Sequence, residues 1–154
     1  DEPEVILSGV IDAPPEVVWE ILEDCDNYKR TMPRIVESQE LSRDGDRRVC
    51  RTLLDSPWPM DDLEAVAESQ VVVEPGRWTR RWHLVRGSFT KYSGSWTLTP
   101  FDADGKRTLA VQRSHTVMAQ QVPGWIRDIA VQTGMPDVIR SLRHHARLKL
   151  AQRQ

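Results

Sequence analysis

The last third of this chain constrains its fold more than any other stretch. From Val122-Pro123-Gly124-Trp125-Ile126 to the C-terminus it reads as a long amphipathic helical segment. Trp125, Ile126 and Ile129, then Val138, Ile139, Leu142, Ala146 and Leu150, recur at helical spacing. A helix of that length must lay its apolar stripe on something. The preceding stretch, residues 34–118, is one strand signal after another. The expected partner is therefore a single curved antiparallel sheet, because hairpin-length connections cannot join parallel neighbours. A sheet gripped around one long helix encloses a cavity, and the expected class is α+β.

The order of elements follows from local signals. Residues 4–13 read as a first strand. Asp12-Ala13-Pro14-Pro15-Glu16 starts a helix, with proline tolerated in the first turn and the acid favouring the positive helix end. Val17, Val18, Ile21 and Leu22 share one face of that helix, which is expected to run to about Asp26. A short helical turn over 27–33 closes at Pro33. Strands are then expected over 34–42, 47–55, 63–73, 77–86, 90–99 and 107–118, separated by turns at 43–46, 74–76, 87–88 and 100–105. The prolines of Ser56-Pro57-Trp58-Pro59-Met60 break the ladder. Within the terminal helix, Gly134-Met135-Pro136 predicts a kink or a break, either a hinge in a lid or a corner between two helices.

A length of 154 residues suits one domain over 1–154, expected to be a monomer. Its net charge of −2 supplies no field that would gather nucleic acid. The chain starts at Asp1 without a signal peptide and has no apolar run long enough to span a bilayer. A soluble protein is expected, cytoplasmic or exported with its signal removed. Cys25 and Cys50 read as two small buried hydrophobes; a disulfide would require the first helix and a sheet strand to meet.

Six tryptophans against two Phe and two Tyr exceed what packing alone needs. Large flat side chains with one polar N–H suit the wall of a ligand pocket. On one strand, Trp78, Arg80, Trp82 and Leu84 share a face. Either that face is a solvated outer stripe, or it turns inward and Arg80 must find a partner or a ligand anion. His83, His115, His144 and His145 lack metal-ligand spacing, and no HExxH, CxxC, GxSxG or phosphate-loop motif occurs. No metal, cofactor or catalytic residue is expected. Arg140, Arg143, Arg147, Lys149 and Arg153 complement the terminal helix dipole, or else dock transiently on an anionic membrane surface.

Several motifs, in order, resemble the START domain, the steroidogenic-acute-regulatory-related lipid-transfer module of the helix-grip (SRPBCC) superfamily. Ile11-Asp12-Ala13-Pro14-Pro15-Glu16-Val17-Val18-Trp19 looks like its strand-to-helix junction, and Pro57-Trp58-Pro59-Met60-Asp61-Asp62 like its proline-tryptophan-proline turn. Gly94-Ser95-Trp96-Thr97-Leu98-Thr99-Pro100 is similar to its strand before the last hairpin. Val122-Pro123-Gly124-Trp125-Ile126, followed by Pro136 and Leu142-Arg143, is similar to its terminal helix. Where START members carry an Arg-Asp pair this chain reads Asp61-Asp62. The acid–arginine pair that some sterol binders hold in the cavity has no match near Ala67.

The resemblance implies a hydrophobic cavity holding one lipid-like ligand such as a sterol, phospholipid or fatty acid. The expected wall is Trp78, Trp82, Trp96, Leu98, Val111, Trp125, Ile129, Met135 and Ile139, with Arg80 and Arg113 as polar anchors. The alternative is a polyketide aromatase/cyclase using the same cavity, which needs an inward polar group from Arg80, His83, Arg113 or His115. A third reading, an interaction protein of the coenzyme-Q-binding or ribosome-associated type, requires a collapsed cavity.

Overall fold

The computed structural model describes residues 4–56, 58, 60–119 and 124–153, the side chains of 126–136 excepted. Pro57, Pro59, Val122 and Pro123, on which two of the motifs above rest, lie outside the described residues, as do the side chains of Ile129 and Met135.

Chain order is β1 (Val5–Ile11), α1 (Pro15–Leu22), a 3-10 turn (Cys25–Asn27), α2 (Tyr28–Thr31), β2 (Ile35–Asp44), β3 (Arg47–Leu54), β4 (Leu63–Glu74), β5 (Arg77–Gly87), β6 (Phe89–Pro100), β7 (Thr108–Met118) and α3 (Gly124–Arg153). The strands form one antiparallel sheet in the order β1-β7-β6-β5-β4-β3-β2. Consecutive strands from β2 to β7 pair as hairpins; only β1 crosses over, to pair with β7. The sheet stays open, with β1 and β2 as its edges.

Local chemistry explains the helices. Pro15 occupies the first position of α1, where its missing N–H would be unpaired anyway. Its apolar face is buried through Val17, Val18, Ile21 and Leu22. These pack with Leu98 and Ala110 of the sheet and with Ile139, Leu142 and Ala146 of α3. Each of the Val, Leu and Ile side chains contributes about 1.5–3 kcal/mol by leaving water. α3 crosses β1 at Gly9, where a Cβ would lie 2.8 Å from Ile139 Cγ2, so only glycine lets the helix seat this closely. Arg143 Nε donates to the Val10 carbonyl beside it, at 3.0 Å.

Three expectations are corrected. α3 passes through Pro136 as one helix of 30 residues, with no break at Gly134-Met135-Pro136. The lost hydrogen bond is local, and the buried stripe beyond it (Ile139, Leu142, Ala146) holds the remaining turns in place. Cys25 and Cys50 are not separate hydrophobes; they form a disulfide with their Cα atoms 6.2 Å apart. The first helix ends at Leu22 rather than near Asp26, and the 3-10 turn that follows brings Cys25 onto β3.

Candidate functional site

Antiparallel register places the inward side chains in rows across the sheet. One row is Val73, Trp78, Leu98, Ala110 and Gly9; the next is Val71, Arg80, Trp96, Gln112 and Leu7; a third is Ser69, Trp82, Gly94, Ser114 and Val5. Leu98 and Ala110 of the first row are fully buried under α1 and α3. From the second row onward a cavity of about 260 Å³ opens among the described residues.

Its walls come from β3 (Cys50, Thr52, Leu54), β4 (Ala67, Ser69), β5 (Arg80, Trp82), β6 (Tyr92, Trp96) and β7 (Gln112, Ser114, Thr116). Tyr28 and Met32-Pro33 before β2, Ile35, and Val138 of α3 complete them. Trp82 lies across Gly94, where a Cβ would meet its Cζ2 at 2.5 Å; the missing side chain is what lets the indole lie flat on β6. Tyr92 stands edge-on to Trp82, with ring centroids 6.4 Å apart, and to Phe89, 5.1 Å away. Exposure rises along the cavity from Arg80 and Trp96, both buried, to Thr116 at the rim.

The inner end is charged. Glu23 caps the C-terminus of α1, where the helix dipole disfavours an anion. Arginines hold it there: Arg80 Nη1 at 2.5 Å, Arg48 Nη2 at 3.1 Å and, more loosely, Arg43 at 3.7 Å. Arg80 is only 3% exposed and Arg48 7%. Two buried cations thus converge on one carboxylate, and Arg48 Nε has no hydrogen-bond partner among the described residues. Tyr28 O–H donates to the Leu22 carbonyl. Burial pushes the Tyr28 phenol above its ordinary pKa; Glu23, Asp24 and Glu40 push the same way, and Arg80 opposes them. Burial also raises Tyr92, to about 12.

Of the residues expected to line the cavity, Trp82, Trp96 and Arg80 do so. Arg80 is carried inward with the indoles, so its strand face is not a solvated stripe. Trp78 and Leu98 share the inward face one row away, but pack in or against the core beside α1. Ile139 also packs in that core, and its neighbour Val138 meets the cavity instead. Val111 and Arg113 are corrected: β7 turns its even-numbered residues inward, so both face out, and Arg113 pairs with Glu4 at 3.0 Å. Trp125 is 60% exposed. His83 is exposed, and His115 shares the outward face of β7.

Sequence reasoning missed Tyr28, Gln112, Ser114 and the Glu23 partnership, which joins residues 57 positions apart. Period-two alternation from Ala110 would have marked Gln112 and Ser114 as inward; no local signal announces Glu23. The basic residues of α3 are largely engaged within the molecule. Lys149 and Arg153 pair with Glu20, Arg140 with Asp137, and Arg143 with the Val10 backbone. Among the described residues no group of His, Cys, Asp and Glu is arranged to hold a metal ion.

A family profile described as polyketide cyclase/dehydrase and lipid transport matches residues 11–143. Among solved structures, the chain is similar to a STAR-related lipid transfer protein from Xanthomonas axonopodis, with 21% identity, 94% of this chain and 85% of that one covered, and a TM-score of 0.80. It is similar to the ZhuI aromatase/cyclase from a Streptomyces species, with 16% identity, 97% and 96% covered, and a TM-score of 0.78. A Thermus thermophilus protein, TTHA0849, shares 24% identity over 94% of both chains, with a TM-score of 0.71. No curated protein sequence matches the chain.

Proposed function

Because the chain belongs to the polyketide cyclase/dehydrase and lipid-transport family, with the helix-grip fold of START domains, we propose that it binds one hydrophobic small molecule in the cavity beneath α3 and carries it. The observation behind this reading is the unfilled inner face between Arg80 and Thr116, walled by Trp82, Trp96, Tyr92, Leu54, Ile35 and Val138. Apolar walls of this kind favour a ligand by about 25 cal/mol for each Å² removed from water.

The cavity volume narrows the cargo. About 260 Å³ falls just under the ~300–1,000 Å³ of pockets that bury drug-sized ligands. A single acyl chain or a compact ring system suits that space; a two-chain phospholipid does not. The test is native mass spectrometry of the purified protein, followed by organic extraction and identification of what was bound. A stoichiometric adduct of one chemical class is expected. Failure of stripped protein to take up any single-chain or ring-system lipid from vesicles would overturn the reading.

The polar groups facing the cavity favour a second reading, cyclisation of a polyketide. Tyr92 holds its proton well above neutral pH and Arg80 brings guanidinium N–H groups to the cavity, so both can donate there, while the Tyr28 proton is taken by the Leu22 carbonyl. Donors aimed at a carbonyl oxygen stabilise the enolate that forms there. Turnover of an aromatic polyketide thioester, abolished in Arg80→Gln, would favour this reading; bound but unchanged substrate would favour carriage.

A further inference from the structure

We propose that the disulfide between Cys25 and Cys50 is a thiol-exchange site reached through the unliganded cavity, and that it latches one cavity wall. Its reduction weakens ligand binding, and a bound ligand blocks its reduction. This deepens the cavity-binding reading and rests on it.

Both cysteines are buried, Cys25 at 1% exposure and Cys50 at 6%. Burial normally makes a disulfide inert, because an attacking thiolate needs a clear line to one sulfur. Cys50 differs in what it is buried beside. It stands in the cavity wall with Thr52 of its own strand and with Ala67, its register partner on β4. A cavity of about 260 Å³ admits a small thiol to that wall, and the same cavity filled by a ligand does not.

The other half of the bond sits in the part of the wall that the sheet does not supply. Upstream of Cys25, α1 is fixed in the core through Ile21 and Leu22. Downstream, the Arg34 carbonyl accepts from Asp55 N–H at 2.7 Å, just before β2 begins. The residues between these anchors bring Tyr28, Met32 and Pro33 into the cavity wall. Cys25 is the one buried residue between Glu23 and Arg34. With four residues and none of them buried, α2 is far too short to hold itself.

Arg34 ends this segment in the left-handed region, at φ 67°, a conformation that a non-glycine residue keeps only under constraint from its surroundings. Cutting the disulfide removes the covalent constraint and lets the segment swing about Arg34. The core is spared, because neither cysteine belongs to the cluster in which α1, α3 and Leu98 pack.

The exchange runs in two steps. One thiolate of a small dithiol attacks the Cys50 sulfur from the cavity, and Cys25 leaves as a thiolate that takes up a proton. The second thiolate of the reductant then displaces Cys50, which is protonated in turn. The protein gains two electrons and two protons as two thiols, and the dithiol loses them in becoming a cyclic disulfide. A ligand that binds the latched wall more tightly must oppose this reduction by the same factor, since coupling between two sites is reciprocal.

Stripped protein is titrated with two uncharged probes, N-phenyl-1-naphthylamine read by its fluorescence and dodecan-1-ol read by calorimetry, before and after reduction with dithiothreitol. Reduction is expected to weaken binding at least about tenfold, within the usual span of coupled sites, while circular dichroism keeps its folded signal. In buffers of mixed oxidised and reduced dithiothreitol, a saturating probe is expected to move the midpoint of reduction by that same factor. The rate of reduction should fall in proportion to the fraction of protein occupied. Cys25→Ser/Cys50→Ser is expected to bind as weakly as the reduced protein and to ignore dithiothreitol, which separates loss of the latch from any action of the reductant on the probe.

Equal affinity of the two redox forms, or a reduction rate indifferent to the probe, overturns the latch and leaves the cavity reading standing. So does a reduced protein that unfolds, because the bond would then hold the fold and not the wall. Binding of neither probe to the disulfide form overturns both.

Discussion

One face of one sheet behaves in two ways along its length. At the end covered by α1, the row of Trp78, Leu98 and Ala110 meets Val18, Leu22, Leu142 and Ala146, and the space is filled. At the next three inward positions of β7, Gln112, Ser114 and Thr116, and at Ser69 on β4, the side chains are short or polar and line the cavity. Along β7 the same inward alternation runs through both ends, and residue size and polarity separate core from cavity there. Packing there must therefore be sensitive to side-chain volume at one end and tolerant of it at the other.

The largest expected effect breaks the filled end. Leu98 is fully buried among α1, α3 and the sheet. Leu98→Ala removes apolar contacts and leaves a hole that rigid neighbours cannot close, so it is expected to cost about 4 kcal/mol in urea denaturation. Ser114→Ala, two rows along on β7, is expected to cost under about 1 kcal/mol, because it borders space already empty. If the two substitutions cost the same, the division into core and cavity is wrong.

A slightly smaller effect tests what holds the open end together. Without the disulfide, the segment from Cys25 to Pro33, which carries Tyr28 and Met32 into the wall, hangs on a few hydrogen bonds. Ser38 Oγ donates to the Asp26 carbonyl and accepts from Lys29 N–H, and Glu40 N–H donates to Asp26 Oδ1. The bond between Cys25 and Cys50 spans 25 residues, and removing it is expected to cost about 3 kcal/mol by freeing the unfolded chain. Cys25→Ser/Cys50→Ser should lose that stability and should also weaken ligand uptake, since Cys50 itself lines the cavity. Loss of stability with unchanged uptake would show that the segment stays in place without the bond.

The filled end was legible in the sequence and much of the open end was not, for a physical reason. Strand alternation, turn residues and the Pro14-Pro15 helix start are local, and they placed all seven strands and the face of α1 that is buried. The same alternation places Cys50, Thr52 and Leu54 on one side of β3, and they line the cavity. It misled on β7 because apolar character was used to choose the inward face. Val111 looks like a wall residue, yet the inward positions are Gln112 and Ser114, polar because they border a cavity and not a core. Arg80 was legible as a choice between two faces. Its partner Glu23 was not, because the contact depends on where α1 ends against β5, a tertiary fact with no local signature.

The smallest expected effect sharpens the comparison at a single wall residue. If the open end is as dry as the filled end, Tyr92 must resist ionisation, and burial does raise its phenol from 10.0 to about 12. A phenol raised on folding binds its proton more tightly in the folded state. The stability it contributes is therefore fully present below pH 10 and is lost as the pH climbs from 10 through about 12, where the unfolded chain releases the proton first. Tyr28 shifts in the same direction. These are the only two tyrosines in the chain, so absorbance of tyrosinate can follow both directly. Tyr92→Phe cannot titrate and is expected to show a shallower alkaline decline in urea midpoint, with one late-ionising phenol left in the absorbance curve. Were Tyr92 to ionise near 10 in the folded protein, water would have to fill the cavity around it, and the open end would be a wet groove rather than a pocket for an apolar ligand.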